Sequence, residues 1–384
     1  MNKNLLCFTA RYLPGFQGGG PAKSISNIVS SCKEDINFLI ITNHRDAYEK
    51  EQYKDIIENK WNRKFDCNIF YWRFNFISFI KVIKIILRDD IKTCYFNSFF
   101  SFRFTILPLF ILRSLRKDLR IILAPRGEFS YSALKSKSLK KQFYLNLFLF
   151  LRFYKYIEFH ATSKDEIENI IKYLPIKYEK ISFIKNLHSN YTNISKSSIR
   201  NSSGELKIIF LSRVTPMKNL DFAIEVLSQI PKNISIKFDI YGVIADKIYW
   251  NKCLQKIKNM PKNIICNYLG AVKPSQVLPI FRRYDLLFLP SLGENFGHVI
   301  PEALSQGTSV LTSNQVPWDV MNNYLCGWCL SLDDKKIFID IIIRFSKFNN
   351  VQYEQQRKRC LDFSKDNFLN KKDIKKYKSL FLKN

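Results

Sequence analysis

Two glutamates, Glu294 and Glu302, bracket a glycine-bearing turn in the stretch PSLGENFGHVIPEAL at residues 290–304. A carboxylate accepts hydrogen bonds from hydroxyl pairs, so two of them spaced across a ligand suit sugar and ribose hydroxyls rather than phosphates. Glycines at 293 and 297 let the backbone pass close to a ligand and offer N–H donors from Phe296, Gly297 and His298. Upstream, LSRVTPMKNLDFAIEVLSQI carries Arg213 and Lys218 where a strand ends and a helix starts. Two cations beside the N–H groups of a helix start make the arrangement a diphosphate asks for. A third piece is the run Gly18, Gly19, Gly20, Pro21, a turn through which backbone amides can approach an anionic ligand. It lacks the GK[ST] ending of a P-loop, and no GxGxxG pattern is present. Each piece also has a plainer reading. Arg213 and Lys218 can be surface cations, the triple glycine can merely turn the chain, and Glu302 can be a favourable charge at a helix start, worth about 0.3–1 kcal/mol. That last reading explains one glutamate and not the set.

The elements that must hold these residues alternate in kind. NLLCFTA, NFLIIT (37–42), IKTCYFN (91–97), RIILAP (120–125), YIEFHATS (156–163) and KISFIKN (180–186) read as buried strands separated by helix-length segments. The pattern restarts with LKIIFLS (206–212), SIKFDIYG (235–242), IICNYLG (264–270), YDLLFLP (284–290) and TSVLTS (308–313). Repeated strand–helix–strand predicts an α/β fold of two doubly wound parallel sheets with helices on both faces. Between the two runs lies SNYTNISKSSIRNSSGE, rich in Ser and Asn, which reads as a linker. The predicted layout is therefore an N-terminal domain over 1–188, a linker over 189–205, a C-terminal domain over 206–365 and a basic helix over 366–384. Such a pair predicts a cleft where the carboxyl ends of both sheets face each other. Pro21 and Pro301 fall in the first turns of their helices, and the helix after Arg213 is expected to begin near Lys218 or Asn219.

Composition limits what such a protein can be. With 384 residues, 46% hydrophobic and 15% aromatic, the chain has ample apolar mass for two cores, which excludes disorder for most of it. The net charge of +28 implies an anionic partner: nucleic acid, phosphorylated metabolites or acidic lipid. Residues 101–157 hold 12 basic and 2 acidic residues, woven through FFSFRFTILPLFILRSLRK and LNLFLFLRFYKY. Arg103, Pro108, Arg113, Arg152 and Lys155 break these apolar runs too often for a spanning helix. They suit either a helix lying on an anionic membrane face or core helices with cationic outer faces. Nine scattered cysteines and no signal-peptide pattern predict a reducing, cytoplasmic setting. Cys326 and Cys329, in CGWC, lack the second pair of a zinc site and the context of a redox motif, so they read as buried thiols. The four histidines have no ligand spacing, and no metal site is predicted.

Taken together, GENFGHVIPEAL resembles the E-x7-E signature of retaining glycosyltransferases of family 4, whose GT-B architecture has two Rossmann-like domains. GGGP at 18–21 is similar to that family's glycine-rich first loop, R-x4-K at 213–218 to its diphosphate-binding pair, and FDIYG and NYLGAV to its nucleotide-side strands. The resemblance covers most of the chain, from about residue 5 to residue 330. It implies a nucleotide-sugar donor as co-substrate, no other cofactor and no bound metal. It further implies that Arg213 and Lys218 hold the diphosphate, that Glu302 binds ribose hydroxyls and that Glu294 with the amides after it holds the donor sugar. Gly18–Gly20 would approach donor phosphates and acceptor. The implied acceptor is a glycan or a polyprenyl-diphosphate-linked sugar of bacterial surface polysaccharide (O-antigen, lipopolysaccharide or capsule), handled at the inner face of the plasma membrane. Many relatives carry a histidine in the first domain where this chain reads ILAPRGEFSYSALK, which puts Arg126 and Glu128 in that neighbourhood as candidates to face the acceptor or leaving group. A salt-bridged loop is the alternative there. His160 is similar to a segment of the same subgroup and fits a core histidine equally well. The rival class is a basic nucleic-acid-binding protein with a two-lobed α/β fold, against which stand charge spread over both halves and the lack of a recognised binding module. A phosphorylase or an epimerase of similar shape lacks this combination of motifs or this length.

Overall fold

A computed structural model describes residues 3–130, 133–134, 138–188, 204–368 and 371–383. The chain forms two compact units, one of residues 1–187 with 370–384, the other of 188–369. Most of the segment read as a linker, residues 189–203, lies outside the described residues.

In the first unit eight strands form one sheet: β1 (Lys3–Phe8), β2 (Ile36–Asn43), β3 (Trp61–Lys64), β4 (Cys67–Trp72), β5 (Ile91–Phe96), β6 (Arg120–Leu123), β7 (Ile157–Ala161) and β8 (Ile181–Phe183). Their order is β3-β4-β2-β1-β5-β6-β7-β8. All neighbours are parallel except β3 and β4. Period-two alternation decides which layer each side chain joins. Leu6, Phe8, Phe70, Trp72 and Phe96 pack under the helices Phe76–Ile86, Leu107–Leu115, Ser138–Phe150 and Lys164–Tyr173. Leu5, Cys7, Ile69, Tyr71 and Tyr95 pack on the other face, under the helices Gly20–Cys32 and Lys371–Leu382.

The β3–β4 pair is absent from the strand pattern read above. Phe65 (φ 51°) and Asp66 (φ 61°) both adopt the left-handed region between these strands, as a two-residue hairpin turn requires. A phenylalanine in place of the usual Asn or Gly hides that turn in the sequence.

The second unit has six strands: β9 (Leu206–Leu211), β10 (Ile236–Tyr241), β11 (Ile264–Gly270), β12 (Leu286–Leu289), β13 (Ser309–Ser313) and β14 (Gly327–Leu330), in the order β11-β10-β9-β12-β13-β14 and all parallel. One continuous core runs through it.

The C-terminal segment differs from the single basic helix expected over 366–384. The helix Asn350–Phe368 stays with the second unit, and a separate helix, Lys371–Leu382, joins the first. Ile374, Tyr377, Leu380 and Phe381 recur at helical spacing, and the last three are buried in the first unit's core. The basic residues hide this apolar stripe in composition.

Candidate functional site

In the second unit the chain leaves β9 toward β10 on one side of the sheet and returns to β12 on the other, so the strand order reverses between β9 and β12. These two strands pair in parallel, Leu286 opposite Ile208 and Leu287 opposite Ile209. Their following loops therefore leave the same edge side by side, and a crevice at such a reversal is where open α/β sheets bind ligands. The loop after β9 carries Arg213 and Lys218; the loop after β12 carries Glu294, Phe296, Gly297 and His298. Glycine governs one close approach here. A Cβ on Gly242 (φ 140°), at the end of β10, would lie 1.8 Å from the Ser212 carbonyl oxygen, beside Arg213.

The first loop tightens into a turn over Pro216–Lys218, and Asn219 (φ 57°) then resets the backbone so that the helix Leu220–Leu227 starts one residue after the region predicted. The two loops are tied by the amide of Leu292, which donates to the Met217 carbonyl at 2.9 Å. The Lys218 ammonium makes an ion pair with the Glu294 carboxylate, the side chains being 12% and 14% exposed. Ser291 Oγ donates to the same carboxylate oxygen at 3.3 Å, and the Glu294 amide donates to the Gln315 carbonyl at 3.3 Å.

After Glu294 the backbone passes Gly297 at φ 76°, a left-handed value that a side chain resists. It then enters the helix Val299–Ser305, with His298 as its first flanking residue. Ile300, Ala303 and Leu304 anchor that helix in the core, and Glu302 lies buried in its first turn. Trp318 is a residue the sequence reading missed. Its indole N–H donates to the Phe296 carbonyl and its ring lies 5.5 Å from that of Phe296, which in turn meets His298 edge-on at 4.7 Å. Nothing in its local sequence distinguishes Trp318 from a core tryptophan.

The other predicted residues belong to the first unit. Gly18–Gly20 follow β1, and Gly19 (φ 76°) flanks the helix Gly20–Cys32 with Pro21 in its first turn. Asn97, which follows β5 at that sheet's own reversal, donates to Thr9 Oγ1 and the Pro21 carbonyl, both at 3.3 Å, and ties the two loops. Arg126 is a hub. Its guanidinium donates to Asn97 Oδ1 (2.6 Å), Asn186 Oδ1 (2.6 Å) and the Tyr95 hydroxyl (2.8 Å). Glu128 accepts from Ser98 Oγ (2.8 Å) and the amides of Phe99 (2.6 Å) and Phe100 (3.0 Å), and burial raises its pKa.

Arg126 and Glu128 form no ion pair with each other, which corrects the salt-bridged alternative for that loop. The Glu128 carboxylate is taken up by the backbone just after β5, and the Arg126 side chain bridges Tyr95 and Asn97 at the end of β5 to Asn186 after β8, so each positions the loop edge. Glu166, unnoticed in the sequence, pins the same loop by accepting from the Gly127 amide at 2.7 Å and from Thr162. His160 is a core histidine: Nδ1 lies 2.9 Å from the Tyr95 hydroxyl and Nε2 3.0 Å from the Ile184 carbonyl. Burial, with Arg126 nearby, pushes its pKa down to about 3. Cys326 and Cys329 are buried thiols, the latter raised to about 11 by burial. Among the described residues no group of three or more His, Cys, Asp or Glu side chains is placed to hold a metal ion.

Residues 192–360 match the family model described as "Glycosyl transferases group 1". An uncharacterized 41.2 kDa protein in the cps region of Klebsiella pneumoniae is 22% identical over 320 residues, which are 79% of this chain and 82% of that protein. Among solved structures, Anabaena HepE in complex with UDP and glucose superposes with a TM-score of 0.74 at 14% identity over 100% of both chains. WaaG, a glycosyltransferase involved in lipopolysaccharide biosynthesis, does so with a TM-score of 0.67 at 12% identity over 99% of this chain and 100% of its own. These likenesses establish the fold, which is that of the GT-B glycosyltransferases.

Proposed function

We propose that the protein is a retaining glycosyltransferase that moves a sugar from a nucleotide-sugar donor to a glycan or polyprenyl-diphosphate-linked acceptor in bacterial surface-polysaccharide synthesis. The observation that carries this reading is the Lys218–Glu294 ion pair at the β9/β12 reversal, with Arg213 in the same loop as Lys218 and Glu302 in the helix that follows Glu294. A donor diphosphate is the natural competitor for Lys218. Once the ammonium turns to phosphate, the Glu294 carboxylate is released to accept hydrogen bonds from the sugar hydroxyls. Arg213 adds a second cation to the diphosphate, and Glu302 takes the ribose hydroxyls. As the glycosidic bond breaks, negative charge grows on the departing diphosphate, and fixed cations placed there stabilise the transition state more than the ground state. The match to group 1 transferases over residues 192–360 and the UDP bound by HepE support a nucleotide as the donor's handle.

The test is a thermal-shift series with UDP-, GDP- and ADP-sugars, because a ligand that binds only the folded state raises the melting temperature by mass action. One nucleotide sugar is expected to shift the wild type, with the shift lost in Lys218→Ala and Glu302→Ala. If none shifts it while a polynucleotide does, the reading fails in favour of a nucleic-acid-binding protein. With the responsive donor, product should form in the presence of chelator and keep the donor's anomeric configuration; inversion or chelator inhibition would remove those parts of the proposal.

A further inference from the structure

β12 and β13 run parallel with Leu289 opposite Thr312, so the loops that follow them leave the sheet edge side by side. The loop after β13 braces the loop after β12 at three points. The Ser313 hydroxyl donates to the Ser291 carbonyl, the Glu294 amide donates to the Gln315 carbonyl at 3.3 Å, and the Trp318 indole N–H donates to the Phe296 carbonyl. Pro317 stiffens the bracing segment by fixing its own φ. Trp318 is only 6% exposed, and its ring meets Phe368 edge-on at 6.1 Å and Phe296 at 5.5 Å.

Packing alone asks for a flat ring, which a phenylalanine also supplies. A buried indole brings in addition an N–H that must find an acceptor. The acceptor here is a carbonyl that the next helix does not use, since the Ile300 and Glu302 amides donate to the carbonyls of Gly297 and His298. The Phe296–Gly297 peptide is trans, which sets its carbonyl and its N–H on opposite sides of one plane. Holding the carbonyl at Trp318 therefore turns the Gly297 N–H away from the indole. That N–H makes no hydrogen bond among the described residues. A Cβ on Gly297 would come 3.7 Å from Glu294 Cγ, so this glycine sits against the Glu294 side chain.

We infer that Trp318 is a positioning residue for the sugar-binding part of this site. Its indole fixes the Phe296–Gly297 peptide so that the Gly297 N–H, beside the Glu294 carboxylate, donates to a hydroxyl of the sugar to be transferred. An N–H and a carboxylate side by side donate to and accept from hydroxyls, a pairing that a bare diphosphate does not satisfy. This role rests on the transferase reading above and separates recognition of the sugar from recognition of the nucleotide. Among the described residues Trp318 makes no hydrogen bond to Arg213, Lys218 or Glu302, so the nucleotide's own affinity is independent of the indole N–H.

Isothermal titration calorimetry of Trp318→Phe tests this, with UDP-glucose, UDP-N-acetylglucosamine, GDP-mannose and ADP-glucose as probes beside bare UDP, GDP and ADP. The variant should bind the wild type's preferred nucleotide sugar roughly tenfold more weakly and the matching nucleoside diphosphate as the wild type does. A phenylalanine is also smaller than a tryptophan, and an unchanged melting temperature without ligand verifies the packing. The benzothienyl analogue of tryptophan at the same position is the second variant, because its sulfur replaces the N–H while the ring keeps its size. It should show the same selective loss, and it decides the matter if Trp318→Phe melts early. Equal losses for nucleotide sugar and nucleoside diphosphate in the analogue mark a merely structural role and overturn the inference, as does no loss at all. A wild type that binds the nucleoside diphosphates but none of the nucleotide sugars overturns it and leaves a nucleotide site. A wild type that binds no probe overturns it together with the transferase reading.

Discussion

His160 has no exposed surface, and both ring nitrogens face partners that suit a neutral imidazole, with Arg126 close by. Its folded pKa of about 3 lies well below the roughly 6.5 of an unfolded histidine. As pH falls below about 6.5 the unfolded chain takes up a proton that the native chain refuses, so stability declines from there toward pH 3. One such proton gives a slope of about 1.4 kcal/mol per pH unit. His160→Gln should flatten the dependence by about that amount; urea titrations between pH 6.5 and pH 4 measure it, and an unchanged slope contradicts the assignment. Residue chemistry was only partly legible in the sequence. Arg213, Lys218, Glu294 and Glu302 stand out because their types and spacing sit at strand ends, which local pattern reveals. Trp318, Glu166 and Tyr377 work through partners 22, 39 and 217 positions away, and no local pattern encodes such contacts.

Among the elements, strands of parallel sheets announce themselves as apolar runs, which is why β1, β2 and β5 to β13 were readable. β3 and β4 escaped because Phe65 conceals their turn, and β14 because Gly327–Leu330 is short and overlaps the CGWC run. The helix Lys371–Leu382 is the element whose role was least visible, and it carries a prediction. Tyr377, Leu380 and Phe381 are buried against the first unit, and the Tyr377 hydroxyl reaches His160 Nε2 at 3.4 Å. Burying an aromatic or leucine side chain stabilises by about 1.5–3 kcal/mol, so three together rival much of a domain's net stability of about 5–15 kcal/mol. Deleting residues 370–384 should therefore make the first unit melt far earlier or lose cooperativity, followed by circular dichroism and by proteolysis within residues 3–188. A truncated chain that melts like the full one would show that the helix is dispensable.

At the scale of the whole molecule, each unit holds its own core and its own strand-order reversal, and the proposed donor chemistry belongs to the second. Donor binding should therefore slow amide hydrogen exchange in residues 213–218 and 292–302 and leave the central strand β5 (Ile91–Phe96) unchanged. Mass spectrometry of exchange reads this directly; protection confined to the first unit would misplace the site. The returning helix adds a consequence for biosynthesis. The first unit contains residues from both sides of the second, so its sheet is translated long before the segment that completes one of its two cores. At about 5–20 residues per second, the roughly 190 residues between Leu187 and Tyr377 take on the order of 10–40 s to synthesise. Throughout that interval the nascent sheet leaves the ribosome with the side chains around Cys32, Phe38 and Tyr95 uncovered, a period in which chaperone engagement would matter most.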